Sequence, residues 1–202
     1  MNRNEQLKNV WKVEGNEVSL LSVEYDVEKT DLLIDTLMKT KNSGHRIFTS
    51  GTGTSAAAAK KIAHTFCCID FPAMFLSPSD SLHGGLGTIQ KSDVVILISK
   101  GGSTNEITSM IDGIKQKHAI IVGVTENADS MLGKSCDILV LIHISSEPDM
   151  FNMLATASTM KVVAYFDAII VILMVESEFT REQFALIHPN GAVGDRLLGR
   201  KL

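Results

Sequence analysis

The sequence predicts an α/β fold in which a parallel sheet is covered by helices on both faces. Short runs rich in β-branched residues alternate with amphipathic helical segments along the chain, an order typical of parallel sheets. The runs are apolar throughout, as expected for strands that are buried on both faces. The 202 residues contain no Pro- or Ser-rich linker and no repeat, so we expect a single domain over residues 1–202.

The first part of the chain is predicted to be helical. Apolar residues recur every three or four positions from Glu17 to Lys41, which indicates a long amphipathic helix that a shorter helix can precede. Asn42, Ser43 and Gly44 are typical of a helix end. We expect residues 1–42 to pack on the same domain as the rest of the chain.

The remaining segments alternate between predicted strands and helices. The predicted strands are His45–Thr49, Ala73–Leu76, Asp93–Ile98, Ala119–Val124 and Asp137–Ile142. The predicted helices are Ala56–Cys68, Asn105–Lys117, a short piece at Ser130–Lys134, Met150–Glu176 and a last helix from Arg181. Right-handed crossovers place every strand-to-helix loop on one rim of such a sheet, where ligands bind.

Composition argues against several classes of partner. The net charge is −4 and basic residues are scattered, so no surface for nucleic acid is indicated. The N-terminus lacks the apolar core of a secretory signal, and Val162–Val175 is too short to span a bilayer and contains Asp167. The three cysteines lack metal-site spacing, which favours free thiols in a reducing compartment. We therefore expect a cytoplasmic protein with no metal, nucleic acid or membrane.

Two predicted strand-to-helix loops carry residues suited to binding a phosphate or a sugar. The candidates are Ser50, Gly51, Thr52, Gly53, Thr54 and Ser55 in the first loop, and Ser99, Gly101, Gly102, Ser103 and Thr104 in the second. Glycines allow close backbone approach, hydroxyls add hydrogen-bond donors, and a helix N-terminus attracts anions. Alternatively, Thr54 and Thr104 simply cap their helices. Two such loops on one rim favour the binding site, and neither loop has the dinucleotide or P-loop pattern.

These loops, together with three further segments, resemble the sugar isomerase (SIS) domain family and, within it, the arabinose 5-phosphate isomerases. The segments are Ser79–Ile89 (SDSLHGGLGTI), Glu147–Thr156 (EPDMFNMLAT) and His188–Leu198 (HPNGAVGDRLL). The resemblance implies a three-layer sandwich with a five-stranded parallel sheet in flavodoxin-like order, and phosphate held by the second loop. It also implies aldose–ketose isomerisation through an enediol, with no NAD. CBS modules that often follow in relatives are expected to be absent.

The resemblance also indicates candidate catalytic residues and an assembly. Glu147 is expected to act as the carbon base, His188 to open the ring or shuttle protons, and His83 to orient hydroxyls; a carboxylate and histidines suit these steps. From position alone, Glu147 could be a helix-start carboxylate and the histidines ordinary surface or capping residues. The resemblance further implies a homodimer or homotetramer with sites at subunit interfaces. The Met150–Glu176 segment is apolar around much of its circumference, which fits either core burial or a subunit contact.

Three positions depart from the family pattern. Thr54 replaces a lysine, Ser103 replaces a glutamate, and Gly101 replaces a second serine of the phosphate loop. These changes affect catalysis more than binding, and Lys100 can lend charge to the loop. The sequence thus favours a phosphosugar isomerase, with a non-catalytic sugar-phosphate sensing module as the alternative. A DNA-binding regulator is disfavoured, because the roughly forty residues before the first strand leave little room for a helix-turn-helix domain.

Overall fold

The computed structural model describes residues 2–190 and shows the predicted alternation of strands and helices. The strands are β1 (Ile47–Gly51), β2 (Ala73–Phe75), β3 (Val94–Ile98), β4 (Ile120–Thr125) and β5 (Ile138–Leu141). The helices are α1 (Arg3–Glu24), α2 (Val27–Asn42), α3 (Gly53–Cys67), α4 (Pro78–Ser81), α5 (Asn105–Gln116), α6 (Met131–Ser135), α7 (Ala157–Glu176) and α8 (Arg181–Ile187). A 3₁₀ turn, Gly85–Thr88, follows α4; neither it nor α4 was predicted.

The five strands form one parallel sheet in the order β2-β1-β3-β4-β5. This is the flavodoxin-like order, and it confirms the predicted fold class. The strand order reverses direction between β1 and β3, which are direct neighbours with Gly51 opposite Ile98. Loops that leave two such strands diverge to opposite faces of the sheet and open a crevice between them.

Each face of the sheet has its own apolar core. Val94, Ile96 and Ile98 of β3 pack with residues of α2, α3 and α7. The intervening Val95 and Leu97 pack with residues of α5 and α6 on the other face. Because successive side chains of a strand point to opposite faces, this division places α3 and α5 on opposite sides of the sheet.

The N-terminal region differs from the prediction, because two helices replace one long helix with a short one before it. The chain is extended at Tyr25, and the Asp26 carboxylate accepts a 2.9 Å hydrogen bond from the Lys29 N–H at the start of α2. A carboxylate that caps a helix N-terminus in this way begins a new helix. The predicted end is confirmed: α2 stops at Asn42, and Gly44 has a φ of +73°.

Helix α7 begins seven residues later than predicted, at Ala157 instead of Met150. The Asp149 carboxylate accepts hydrogen bonds from the N–H groups of Phe151, Met153 and Leu154, and these bonds hold residues 150–154 in a loop. By length and composition α7 could cross a membrane. However, its Lys161 is 1% exposed and pairs with carboxylates of α1, which favours a helix packed within the protein.

Candidate functional site

The second loop forms a tight turn between β3 and α5. The Gly102 N–H donates to the Ser99 carbonyl at 3.0 Å, and the Ser99 and Thr104 hydroxyls hydrogen-bond each other at 2.9 Å. Within residues 2–190, no acceptor receives the N–H groups of Ser103 or Thr104. These donors, added to the positive end of the α5 dipole, form a site suited to an anion.

Gly102 is the residue that allows this turn. Its φ is +69°, and a Cβ atom there would lie 2.0 Å from the Ser130 hydroxyl oxygen and 2.8 Å from the Thr125 hydroxyl oxygen. A side chain is therefore excluded both by backbone conformation and by space. Gly101, by contrast, is exposed and would place a Cβ in open space.

The first loop divides into a structural half and an open half. Ser50 is buried and donates to the Leu76 carbonyl at 2.7 Å, which ties β1 to the end of β2. A Cβ at Gly51 would lie 2.8 Å from the Ser55 backbone, so the loop requires a glycine there. Thr52, Gly53, Thr54 and Ser55 are partly or fully exposed and remain open to a ligand.

The capping explanation for the two threonines fails for different reasons. Thr54 lies inside α3, because Thr52 occupies the N-cap position. Thr104 does occupy the N-cap position of α5, but its side chain makes no capping bond, and its hydroxyl pairs with Ser99.

A cavity of about 100 Å³ lies at the carboxyl end of the sheet, beside the first loop. Its polar lining comes from Thr54 and Ser55 of α3, Lys100 of the second loop, Thr125 and Glu126 after β4, and Ser158 and Thr159 of α7. Parts of the chain about a hundred residues apart therefore meet at this rim. The cavity can hold the polyol end of a small molecule whose anionic end lies at α5.

Glu147 is the most constrained side chain near this cavity. Its side chain is fully buried, and its Oε2 accepts from the N–H groups of Thr156 and Ala157 at 3.0 and 2.9 Å. Its Oε1 accepts from the Ser158 hydroxyl and from Lys100 Nζ, the latter at 3.3 Å. The Glu147 carboxylate therefore binds the first N–H groups of α7, although α7 begins ten residues later in the sequence.

These contacts keep Glu147 ionised. Burial raises the pKa of the Glu147 carboxyl, but hydrogen bonds from Ser158 and Thr156 and the nearby Lys100 ammonium outweigh it and hold the pKa below its usual value. The carboxylate is thus in the charge state that a base requires, although its lone pairs already have partners in this structure.

Lys100 and Glu126 were absent from the predicted site residues. Lys100 Nζ lies 3.3 Å from Glu147 and 3.6 Å from Oε1 of Glu126. The sequence signal for Glu126 was its position directly after β4, the fourth strand to end at this rim. No local motif marks it, because it meets Lys100 only through the pairing of β3 with β4.

The two candidate histidines lie apart from this cluster. His83 is exposed in the turn after α4, and His188 ends α8, stacked on the Phe184 ring at 4.1 Å. In the described part of the chain, neither histidine contacts the other or Glu147. His188 comes after α8, which follows α7 in the chain, whereas Glu147 lies at the amino end of α7.

Other predicted features can be placed as follows. The segment that begins at His188 extends beyond the described residues from position 191 onward, so residues 191–198 of it lie outside them. No group of three His, Cys, Asp or Glu side chains within residues 2–190 could hold a metal ion. A groove of about 890 Å³ lies away from the rim, between α1, α2 and α7.

The sequence of this chain is similar to a known domain family and to sugar-phosphate isomerases. A family model described as the SIS domain matches residues 42–174. The arabinose 5-phosphate isomerase KdsD of Francisella tularensis is 32% identical over 90% of this chain and 62% of its own length. The chain thus spans less than two thirds of that curated relative.

Solved structures show the same similarity over nearly the whole chain. A candidate sugar-phosphate isomerase from Listeria monocytogenes is 44% identical with a TM-score of 0.90, covering 94% of this chain and 100% of its own. An Escherichia coli CFT073 protein in complex with arabinose 5-phosphate is 30% identical with a TM-score of 0.86, covering 94% of this chain and 100% of its own.

Proposed function

The chain belongs to the SIS domain family, and from this we propose that it interconverts the aldose and ketose forms of a phosphorylated sugar, with arabinose 5-phosphate as the foremost candidate substrate. The observation that carries the proposal is the crevice between β1 and β3. There the free N–H groups before α5, the Ser99–Thr104 hydroxyl pair and the open half of the first loop converge. The relatives that carry this reaction in their names support the choice of substrate.

The proposed binding mode follows from charge. The phosphate lies at the N-terminus of α5, where Gly101, Ser103 and Thr104 face solvent in whole or in part, and the dipole favours a dianion. The sugar chain extends toward Thr54, Ser55 and the small cavity. Buried Ser50 and Ser99 position the two loops.

The proposed chemistry is proton transfer between C2 and C1. A base removes the C2 proton of the aldose, an enediol forms, and the proton returns to C1 while the hydroxyl proton passes from O2 to O1. We assign the carbon proton to Glu147, in keeping with the resemblance; the contacts of its carboxylate with Ser158 and Lys100, which line the small cavity, support this assignment. We assign hydroxyl orientation to His83, and ring opening or proton shuttling to His188.

The positions of the histidines lead us to propose that a second copy of the chain completes the site. Glu147 binds the first N–H groups of α7, whereas His188 ends α8 and stacks on Phe184, and within residues 2–190 the two side chains make no contact. Next to Glu147 lies a loop of exposed apolar side chains, Met150, Phe151, Met153 and Leu154, which are 88, 68, 81 and 61% exposed. A homodimer or homotetramer would cover this loop.

A cytoplasmic location is also part of the proposal. It is supported by the free thiols of Cys67, Cys68 and Cys136, since a reducing compartment keeps such thiols unpaired.

The test is a coupled assay with arabinose 5-phosphate, ribulose 5-phosphate and a panel of hexose phosphates, combined with calorimetry. We expect turnover of a pentose phosphate and about tenfold weaker binding in Thr104→Ala, because the hydroxyl donates to a charged group. Thr36→Ala is the control, since that hydroxyl bonds only its own helix, at the Leu32 carbonyl.

The possible outcomes separate the candidate functions. Binding without turnover would favour the sensing module, for which Thr54 and Ser103 are the supporting departures. If no phosphorylated sugar binds and Thr104→Ala changes nothing, the proposed function is wrong.

A further inference from the structure

Lys100 is held between two carboxylates at the mouth of the rim cavity. Its ammonium lies 3.3 Å from Glu147 Oε1 and 3.6 Å from Glu126 Oε1, yet its side chain is 42% exposed. Its backbone is anchored, since its carbonyl accepts from the Thr125 hydroxyl and from the Glu126 N–H, both at 2.9 Å. The backbone of Lys100 is therefore held in place, while its ammonium group is accessible to a ligand.

The two carboxylates differ in the hydrogen-bond partners that their Oε1 atoms have besides Lys100. Glu147 Oε1 is covered by Lys100 and the Ser158 hydroxyl, so this oxygen becomes available to a substrate only when one of them moves. Glu126 Oε1 is shielded from solvent and has no hydrogen-bond partner within the described residues; Lys100 is its nearest cation. Glu126 can thus retain the ammonium when the ammonium leaves Glu147.

Lys100 is also the only lysine or arginine among the described residues that line this cavity. Thr54, where the resemblance expects a lysine, lies in the same lining with an uncharged hydroxyl. A site that generates an enediolate needs a positive group close to the oxygen that becomes negative. In this lining, Lys100 meets that need.

We propose that Lys100 is a catalytic residue whose ammonium shifts from Glu147 to the carbonyl oxygen of the sugar, and that Glu126 is the positioning residue that guides it. This inference rests on the proposed function. As the C2–H bond breaks, its proton goes to Glu147, its electron pair forms the C1–C2 double bond, and the carbonyl pair moves onto the oxygen that faces Lys100. The ammonium keeps its own proton throughout and stabilises the negative oxygen electrostatically.

The same movement prepares the base. While Lys100 bonds Glu147, the ammonium occupies Oε1 and adds to the hydrogen bonds from Ser158 and Thr156 that lower the pKa of the carboxyl. Transfer of the ammonium to the sugar opens one side of Oε1 and removes the part of that lowering that Lys100 contributes. The cation that stabilises the intermediate therefore also controls access to the proton acceptor.

The experiment compares Lys100→Met with Lys91→Met. Lys100 follows the carboxyl end of β3, and Lys91 is an exposed lysine shortly before the amino end of β3. For Lys100→Met we expect kcat to fall by about 10²- to 10³-fold with KM within about threefold, since the contact strengthens in the transition state. Lys91→Met should retain wild-type values. In Lys100→Ala, added ethylamine should restore part of kcat, which a structural defect would not permit.

A second measurement does not depend on turnover. Lys100→Met should bind the four-carbon phosphorylated hydroxamate, a mimic of the enediolate, at least about tenfold more weakly, and arabinose 5-phosphate within about threefold of wild type. If wild type turns over and Lys100→Met matches it, the inference is wrong and the proposed function stands. If wild type never turns over, the proposed function is wrong; unchanged hydroxamate binding by Lys100→Met would then overturn the inference as well.

Discussion

A single residue, Gly102, determines the shape of the anion-binding turn. It combines a φ of +69° with a space already filled by the Ser130 and Thr125 hydroxyls. Those hydroxyls belong to the end of β4 and to the segment that follows it, so the second loop packs against β4 at Gly102. Gly101, one residue earlier, has neither constraint.

We predict that Gly102→Ala lowers the free energy of unfolding by about 1–3 kcal/mol, because it adds left-handed strain and a steric overlap. It should also abolish the thermal stabilisation that arabinose 5-phosphate gives to wild type. Gly101→Ala is the control and should change the unfolding free energy by less than about 0.5 kcal/mol. Urea unfolding and thermal shift with and without ligand measure both. Equal behaviour of the two variants would show that the turn tolerates a side chain.

At the scale of elements, a buried ionic cluster joins α1 to α7 and to the chain before Glu147. Lys161 Nζ lies 2.8 Å from Glu24, 3.3 Å from Glu17 and 2.8 Å from the His143 carbonyl. Glu17 also accepts from the Ser145 N–H at 2.9 Å. The N-terminal helix thereby fixes the segment that leads to the candidate site.

We predict that Lys161→Met destabilises the protein by about 3–5 kcal/mol, because it leaves buried Glu17 without its cation. The control is Lys61→Met, which removes an exposed ion pair from α3 to Asp167 of the same α7; its cost should not exceed about 1 kcal/mol. Chemical denaturation measures both. Similar losses in the two variants would contradict a special role for the buried cluster.

The same cluster should produce a pH dependence. Burial raises the pKa of Glu17, but hydrogen bonds from Ser145 and the pairing with Lys161 outweigh it, so the folded-state pKa lies below the usual value. Its stabilisation is therefore complete above the unfolded pKa of about 4.3 and is lost as the pH falls toward the folded value. In Glu17→Gln, the loss of stability between about pH 5 and 3 should be smaller than in wild type.

At the scale of the whole molecule, helix α7 leaves several apolar side chains exposed. Val171, Ile172 and Val175 of α7 are 59, 43 and 70% exposed, and Ile172 lines the groove of about 890 Å³. Residues three and four apart share a face of a helix, so these side chains form one apolar strip. A second copy of the chain, covering this strip, fits the proposal that sites are completed between subunits.

We predict a dimer or tetramer by light scattering at micromolar concentration. Val171→Asp combined with Val175→Asp should yield monomers with at least about tenfold lower activity, since charges placed in an apolar interface are costly. Thr65→Asp, which adds a charge at a partly exposed position of α3, should keep the wild-type mass. A wild-type monomer would contradict the proposed assembly.

Much of the fold and part of the site were predictable from local sequence. The five strands, the end of α2 at Asn42 and the two glycine-rich loops were all predicted, because each depends on side-chain periodicity or on residues next to one another in the chain. The early start predicted for α7 was wrong, because Asp149 and Glu147 bind backbone groups that would otherwise continue the helix toward the N-terminus.

Contacts between distant parts of the chain required the tertiary structure. Lys100 meets Glu147, 47 residues away, and Lys161 meets Glu17, 144 residues away. Neither pair leaves a periodic or motif-like trace, since such contacts depend on strand order and helix packing. Backbone conformation is encoded by neighbours and so can be inferred from the sequence, whereas the charge that each group in the site faces depends on which segments fold against it.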